Sequence, residues 1–145
     1  MIRAVLDTNV LVSAVIRRDG KPSQIISRAV VEFSWLTSEY ILAETAAVLT
    51  RKHIQARYGK WLTPEVQTRF LATARATVVL VDVQTRLTVV PDDVKDDPVL
   101  ACAVDGHADY LVTGDPDLLI LREFRGIKIV TPNSFLQILD TLLRV

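Results

Sequence analysis

Short apolar runs rich in Val, Ile and Leu alternate along the chain with longer stretches in which apolar residues recur every three or four positions. Runs of the first kind suit buried parallel strands and those of the second suit amphipathic helices. The alternation therefore predicts an α/β fold, a parallel sheet covered by helices. Strands are expected near Ile2 to Leu6, Trp35 to Thr37, Val78 to Val83, Tyr110 to Thr113 and Lys128 to Val130. Helices are expected from about Val10 to Ile16, Pro22 to Phe33, Glu39 to Arg57, Pro64 to Thr77, Pro98 to His107, Pro116 to Arg122 and Pro132 to Leu143. Four of these starts are marked twice, because Pro64, Pro98, Pro116 and Pro132 follow Thr63, Asp97, Asp115 and Thr131. Proline suits the first helical position, where its missing N–H would have had no partner, and Thr or Asp suits the cap before it. No repeat, low-complexity tract or linker divides the chain, so residues 1–145 are expected to form one domain.

Composition narrows the class. Half of the 145 residues are hydrophobic and 23% are charged, enough apolar surface for a real core and too much for a disordered chain. A single cysteine, Cys102, excludes a disulfide within the chain, and with only two histidines it leaves no zinc-type ligand set. The apolar stretches fall far short of the ~20 residues that span a bilayer. Arg3 precedes a short apolar run that Asp7, Thr8 and Asn9 interrupt, which is not the pattern of a signal peptide, so a cytoplasmic location is expected.

The 17 basic and 17 acidic side chains cancel, which on its face disfavours a nucleic-acid partner. Their distribution is uneven. Residues 1–81 hold 11 basic and 6 acidic side chains, 82–117 hold 2 and 9, and the remainder 4 and 2. An acidic block therefore follows a basic one. A solvated acidic surface is the plain reading of that block, and individual acids must argue against it.

Asp7 is the first that does, closing the run Ile-Arg-Ala-Val-Leu at what would be the carboxyl end of a buried central strand. Open parallel sheets place their ligand sites there, although Asp7 or Asn9 would serve equally well to cap the next helix. Glu44 is the second. Its neighbours three and four positions away are Tyr40, Ile41, Ala47 and Val48, so it points along an apolar stripe unless an Arg pairs with it. Asp97 follows the loop Pro-Asp-Asp-Val-Lys-Asp, and Asp115 follows a strand and a glycine in Leu-Val-Thr-Gly-Asp-Pro-Asp, with Asp117 opening the next helix. Asp97 and Asp115 each have a capping role as their alternative. If the first and fourth strands are adjacent, Asp7, Asp97 and Asp115 converge on one crevice that Glu44 can reach. Carboxylates so close require protonation or divalent cations, and an all-oxygen donor set favours Mg²⁺ or Mn²⁺. Such a site suits phosphate chemistry, since a bound ion lowers the pKa of an attacking water.

Taken together, Val-Leu-Asp-Thr-Asn-Val-Leu-Val-Ser, Ile-Leu-Ala-Glu-Thr, Asp-Asp-Pro-Val-Leu-Ala-Cys-Ala and Leu-Val-Thr-Gly-Asp-Pro-Asp-Leu-Leu resemble, in that order, the PIN-domain family. The closing Ile-Val-Thr-Pro-Asn-Ser-Phe-Leu is similar to that family's toxin branch, and the likeness covers nearly the whole chain. The resemblance implies a three-layer α/β/α sandwich with strand order 3-2-1-4-5 and a Mg²⁺- or Mn²⁺-dependent endoribonuclease. It also implies RNA as substrate, a cognate antitoxin as partner, and a homodimer. The family's acids fall on Asp7, Glu44, Asp97 and Asp115, with Asp117 as a fifth. Asp96 is an alternative to Asp97, which is preferred because it directly precedes Pro-Val-Leu-Ala. Asp92 and Asp93 are expected to be loop or solvent residues. Thr8, Asn9 and Thr113 match positions that orient the first carboxylate and the water.

Substrate contacts are expected from a basic stretch in which Arg51, Lys52, Arg57 and Lys60 are interleaved with Tyr58 and Trp61, since cations track a phosphate backbone and aromatics stack bases. A solvated helical hairpin is the structural alternative. His53, His107 and Cys102 are left out of the site. Two other functions compete. Asp7, the Trp-Leu-Thr-Ser at 35–38 and Thr-Gly-Asp at 113–115 resemble the haloacid-dehalogenase-like phosphatases, but those need an Asp where this chain has Asn9. The other is a non-catalytic module that binds RNA or metal and holds a partner protein.

Overall fold

The computed structural model describes residues 1–87 and 96–143, the side chain of Asp96 excepted. The chain opens with strand β1 (Ile2–Leu6), followed by helices α1 (Thr8–Ile16) and α2 (Lys21–Ser27) and strand β2 (Phe33–Thr37). Helices α3 (Glu39–Leu49), α4 (Lys52–Tyr58) and α5 (Pro64–Thr77) then lead to the short strand β3 (Val79–Leu80). Helix α6 (Asp96–Asp105), strand β4 (Tyr110–Val112), helix α7 (Pro116–Leu119), strands β5 (Glu123–Phe124) and β6 (Ile127–Val130) and helix α8 (Pro132–Leu143) complete the order.

The strands form one sheet in the order β3-β2-β1-β4-β6-β5, parallel except for the β5–β6 pair. On the five expected strands this is the 3-2-1-4-5 order, with β5 added outside. β1 is therefore central, and its residues Ala4, Val5 and Leu6 are wholly buried. Successive side chains of a strand face opposite sides, and β2 shows both. Phe33 meets Phe135 of α8 edge-on at 5.2 Å, whereas Leu36 lies against Gly106 at the end of α6. α2 packs on α8, and α3 packs on α6, giving a helical layer on each side of the sheet.

Three of the four Pro-marked starts hold, with Thr63, Asp115 and Thr131 accepting hydrogen bonds from Val66, Asp117 and Ser134 backbone N–H groups. The fourth differs, since α6 begins at Asp96 and Asp97 lies inside its first turn rather than before it. Asp7, not Asn9, caps α1.

Other boundaries also moved for local reasons. The helix expected to run to Phe33 stops at Ser27, because Phe33 is needed as a buried strand residue and the chain turns through Val30 at φ 73°. The helix expected over 39–57 divides at Thr50, whose hydroxyl bonds back to the Ala47 carbonyl, and Arg51 turns extended before α4. The strand expected over 78–83 shrinks to two residues. The helix expected to Arg122 ends at Leu119, and the chain then enters the unexpected hairpin β5–β6. Its two turn residues, Arg125 and Gly126, both have positive φ, the conformation that matches the twist of a tight hairpin.

Candidate active site

β1 delivers Asp7 to the carboxyl edge of the sheet, where its N–H bonds to the Val112 carbonyl of β4 at 2.9 Å. The residue is 4% exposed. Its carboxylate is held from two directions. Oδ1 accepts the Thr8 N–H at 2.7 Å, and Oδ2 accepts the hydroxyl of the fully buried Thr113, also at 2.7 Å. The start of α1 adds its positive end to the same place. Asp7 therefore caps a helix and also presents a charged group at a ligand edge.

Thr113 ties a second acid to the first. Its hydroxyl oxygen accepts the Asp115 N–H at 3.0 Å, and Asp115 in turn caps α7 by accepting the Asp117 N–H at 2.9 Å. Asn9 reaches from α1 toward the same loop, its Oδ1 3.4 Å from the Gly114 nitrogen.

Glu44 comes from the opposite wall. The buried stripe of α3 is Ile41, Leu42, Thr45 and Leu49, so Glu44 sits at the edge of that stripe rather than along it, with 21% of its side chain exposed. It pairs with Arg51 at 3.5 Å, the partner that sequence reasoning had left open.

A cavity of about 360 Å³ is lined by Asp7, Thr8, Asn9, Glu44, Arg51 and Asp115, together with Ser13, Tyr40 and apolar residues of α1, α3 and α6. Three of the expected acids thus share one hollow. Asp97 is buried in the first turn of α6, 9% exposed, but it does not line this cavity, and exposed Asp117 contributes only its backbone N–H. The side chain of Asp96 and all of Asp92 and Asp93 lie outside the described residues.

Among the described residues, no three Asp, Glu, His or Cys side chains come together as a ready-made metal cage. The donors nevertheless fit a hard cation. Mg²⁺ characteristically takes one or two carboxylates and keeps several waters, and every oxygen of a carboxylate has a second lone pair beyond its existing bond. The Thr8 hydroxyl oxygen is buried at the cavity wall and has no hydrogen-bond partner among the described residues, a vacant polar group suited to a water or a phosphate oxygen. Cys102 is no nucleophile, since burial pushes its thiol up to about 12.

A family model for the PIN domain matches residues 3–117, a span running from β1 into α7 that includes Asp7, Glu44, Asp97, Thr113 and Asp115. The chain belongs to the PIN domain family. PIN domains are generally nucleases, and the family match favours that reading of these residues over a haloacid-dehalogenase-like one. An uncharacterized protein of Methanocaldococcus jannaschii is 29% identical over 149 residues, covering 94% of this chain and 90% of the relative. Among solved structures, the fold matches VapBC2 from Rickettsia felis, bound to a DNA fragment from their promoter. That match has a TM-score of 0.62 at 14% identity and covers 90% of this chain and 98% of the other.

In this PIN domain the expected substrate-binding residues divide into separate groups. Arg51 lines the acidic cavity. Arg57, Tyr58 and Trp61 line a second cavity with Arg17 and Arg18, while Lys52 and Lys60 are exposed and line neither. Sequence reasoning passed over Ser13, Tyr40, Arg17 and Arg18. Ser13 had a signal, because with Asn9 it forms an i, i+4 polar pair on a helix that is otherwise apolar after its first two residues, whereas Arg17 and Arg18 follow that helix without a signal of their own.

Proposed function

We propose that this PIN domain is a divalent-metal-dependent endoribonuclease and the toxin member of a toxin–antitoxin pair. The observation that carries the reading is the single cavity walled by Asp7, Glu44 and Asp115, in which the Thr113 hydroxyl binds the first acid and positions the third. Asp7, Glu44 and Asp115 are the carboxylates that would hold a Mg²⁺ or Mn²⁺ ion, one or two of them directly, and the ion would supply an acidified water and neutralise phosphate charge.

The chain's own residues do the rest. Asp7 accepts two strong hydrogen bonds, which fix its plane before substrate arrives, so little reorganisation is left for the reaction. Asp115 is anchored through its backbone N–H to the Thr113 oxygen while its Oδ1 accepts the Asp117 N–H, and Asn9 braces the loop that carries it. The Thr8 hydroxyl offers a hydrogen bond to an incoming oxygen. Arg51, beside Glu44 on the cavity wall, meets the negative charge of the phosphate. In the hydrolysis a water oxygen bonds to phosphorus while the bond to the leaving ribose oxygen breaks.

Two supports bear on the partner. The sequence resembles the toxin branch of the family, and the fold neighbour is VapBC2 on its promoter DNA. A cognate antitoxin and a homodimeric assembly follow from that reading. No helix among the described residues is long and apolar enough to cross a membrane.

The test is cleavage of single-stranded RNA with Mn²⁺, run beside Asp7→Asn and beside excess EDTA. Both should reduce cleavage by on the order of 100-fold while circular dichroism shows an unchanged fold. Undiminished cleavage in either would overturn the reading. A protein that binds RNA and Mn²⁺ and cuts nothing would establish the non-catalytic partner-holding module instead.

A further inference from the structure

We infer that the hollow beside the C-terminal end of α1 is a second subsite for single-stranded RNA, displaced along α1 from the acidic cavity; the inference rests on the nuclease reading. This hollow, about 540 Å³, is walled by Arg17, Arg18, Arg57, Tyr58 and Trp61, with Asp19 its one acid among the described residues. The guanidinium of Arg18 lies over the Trp61 ring at 5.2 Å and that of Arg57 over Tyr58 at 5.5 Å. An adjoining hollow shares Arg18 and Trp61 and adds Arg69 and Phe70.

Arg28, Arg51 and Arg75 are held by carboxylates, whereas Arg17, Arg18, Arg57 and Arg69 have no ion pair among the described residues. Four guanidinium groups gathered with so little acid repel one another and favour a polyanion. Flat cations lying on aromatic rings add a second preference. Bases stack on aromatic side chains and on guanidinium planes, a contact that an acidic peptide cannot make.

The position relates the hollow to the cut. Asn9, Val12 and Ser13 line the acidic cavity and Ile16 lines the second hollow, which places all four on one face of α1 by their three- and four-residue spacing. The facing wall passes likewise from Val48 and Arg51 to Arg57 and Tyr58. From Asn9 to Ile16 the helix rises about 10 Å, which a strand stacked at ~3.4 Å per nucleotide covers in about three nucleotides.

The experiment measures fluorescence anisotropy of a labelled ten-nucleotide single-stranded RNA on the Asp7→Asn protein across a salt series. Arg17→Ala with Arg18→Ala should weaken binding about tenfold and lower the magnitude of the salt slope by about 1.4, the effect of two lost phosphate contacts. Trp61→Ala should weaken it by about fivefold or more, and Trp61→Phe should restore it, because a ring remains to stack. Lys128→Ala, a change at an exposed cation on β6, should leave affinity alone. Wild-type affinity and slope in the double arginine variant would overturn the inference, as would a loss confined to a polyglutamate probe, which would assign the hollow to an acidic protein. If the parent protein cuts no RNA but the variants lose RNA affinity, the nuclease reading fails and the subsite stands. If cutting proceeds and affinity does not change, the subsite alone fails.

Discussion

Thr113 and Asp7 lie 106 residues apart and are joined by a 2.7 Å hydrogen bond inside the protein, the hydroxyl donating to Oδ2. The same hydroxyl oxygen receives the Asp115 N–H, so one buried side chain sets two acids. Thr113→Val keeps the shape and removes both functions. It should cost about 1–3 kcal/mol of stability, measured by urea unfolding, because a buried carboxylate loses a donor. Cleavage of RNA should fall about 10- to 100-fold, and Thr113→Ser should recover most of it. A valine variant with full activity would mean that the hydroxyl serves packing alone.

Arg51 and Glu44 face each other across 3.5 Å at the cavity wall. A divalent ion held by Glu44, as proposed, would compete with that guanidinium. Arg51→Ala should therefore tighten Mn²⁺ binding, by no more than about fivefold, since half-exposed ion pairs contribute under ~1 kcal/mol. RNA affinity should fall in the same variant. Titrating Mn²⁺ by calorimetry and RNA by anisotropy separates the two effects, and a variant in which both weaken would contradict the competition.

Gly106, just past α6, is closely surrounded. A methyl group there would lie 2.9 Å from Val81 Cγ2 and 3.0 Å from both the Cys102 carbonyl oxygen and Leu36 Cδ1. Its carbonyl also accepts two hydrogen bonds from the Arg3 guanidinium. Gly106→Ala should destabilise the protein by about 1–3 kcal/mol through overpacking, visible as a lower denaturation midpoint. An unchanged midpoint would show that the Val81 segment yields freely.

Asp105 holds the chain after β3 by accepting the Thr85 hydroxyl and the N–H groups of Gln84 and Thr85. The Thr85 hydroxyl, then its backbone N–H, keeps the carboxyl below its ordinary value of 3.8. The charged form is favoured in the folded state, so this stabilisation is complete above the ordinary value and fades as pH falls through the lower, folded one. Asp105→Asn should thus be less stable than the parent at pH 7, and the gap should close in strong acid. Equal stabilities at pH 7, or a gap that widens below pH 3, would refute the assignment.

The parts of this architecture legible in sequence were those where one local signal decides the structure. Asp7 at the end of Ile-Arg-Ala-Val-Leu, and Thr113 and Asp115 after Tyr-Leu-Val, stand out because polar groups interrupt apolar strands. Caps at Thr63, Asp115 and Thr131 were readable because proline follows each. The break at Thr50 and the end of α2 were not, since neither carries Gly or Pro and both depend on tertiary demands, such as the burial of Phe33. β5 was missed because two residues have no periodicity, although Arg125-Gly126 marked its turn. Glu44 was legible as an acid out of place, while its pairing across the α3–α4 break required the structure. Arg17 and Arg18 became informative only when α4 and the chain after it brought Tyr58 and Trp61 against them.

The long separation of Asp7 and Thr113 has a consequence for the making of the protein. Asp7 and Glu44 leave the ribosome early, but β4, which Thr113 directly follows, can pair with β1 only after some hundred residues beyond β1 have been made. Any fragment ending before β4 holds two of the three cavity acids and lacks the hydroxyl that orients the first. On the nuclease reading proposed above, competence to cut is therefore a property of the closed sheet: the pairing of β4 with β1 switches the site on, and a fragment without β4 is silent.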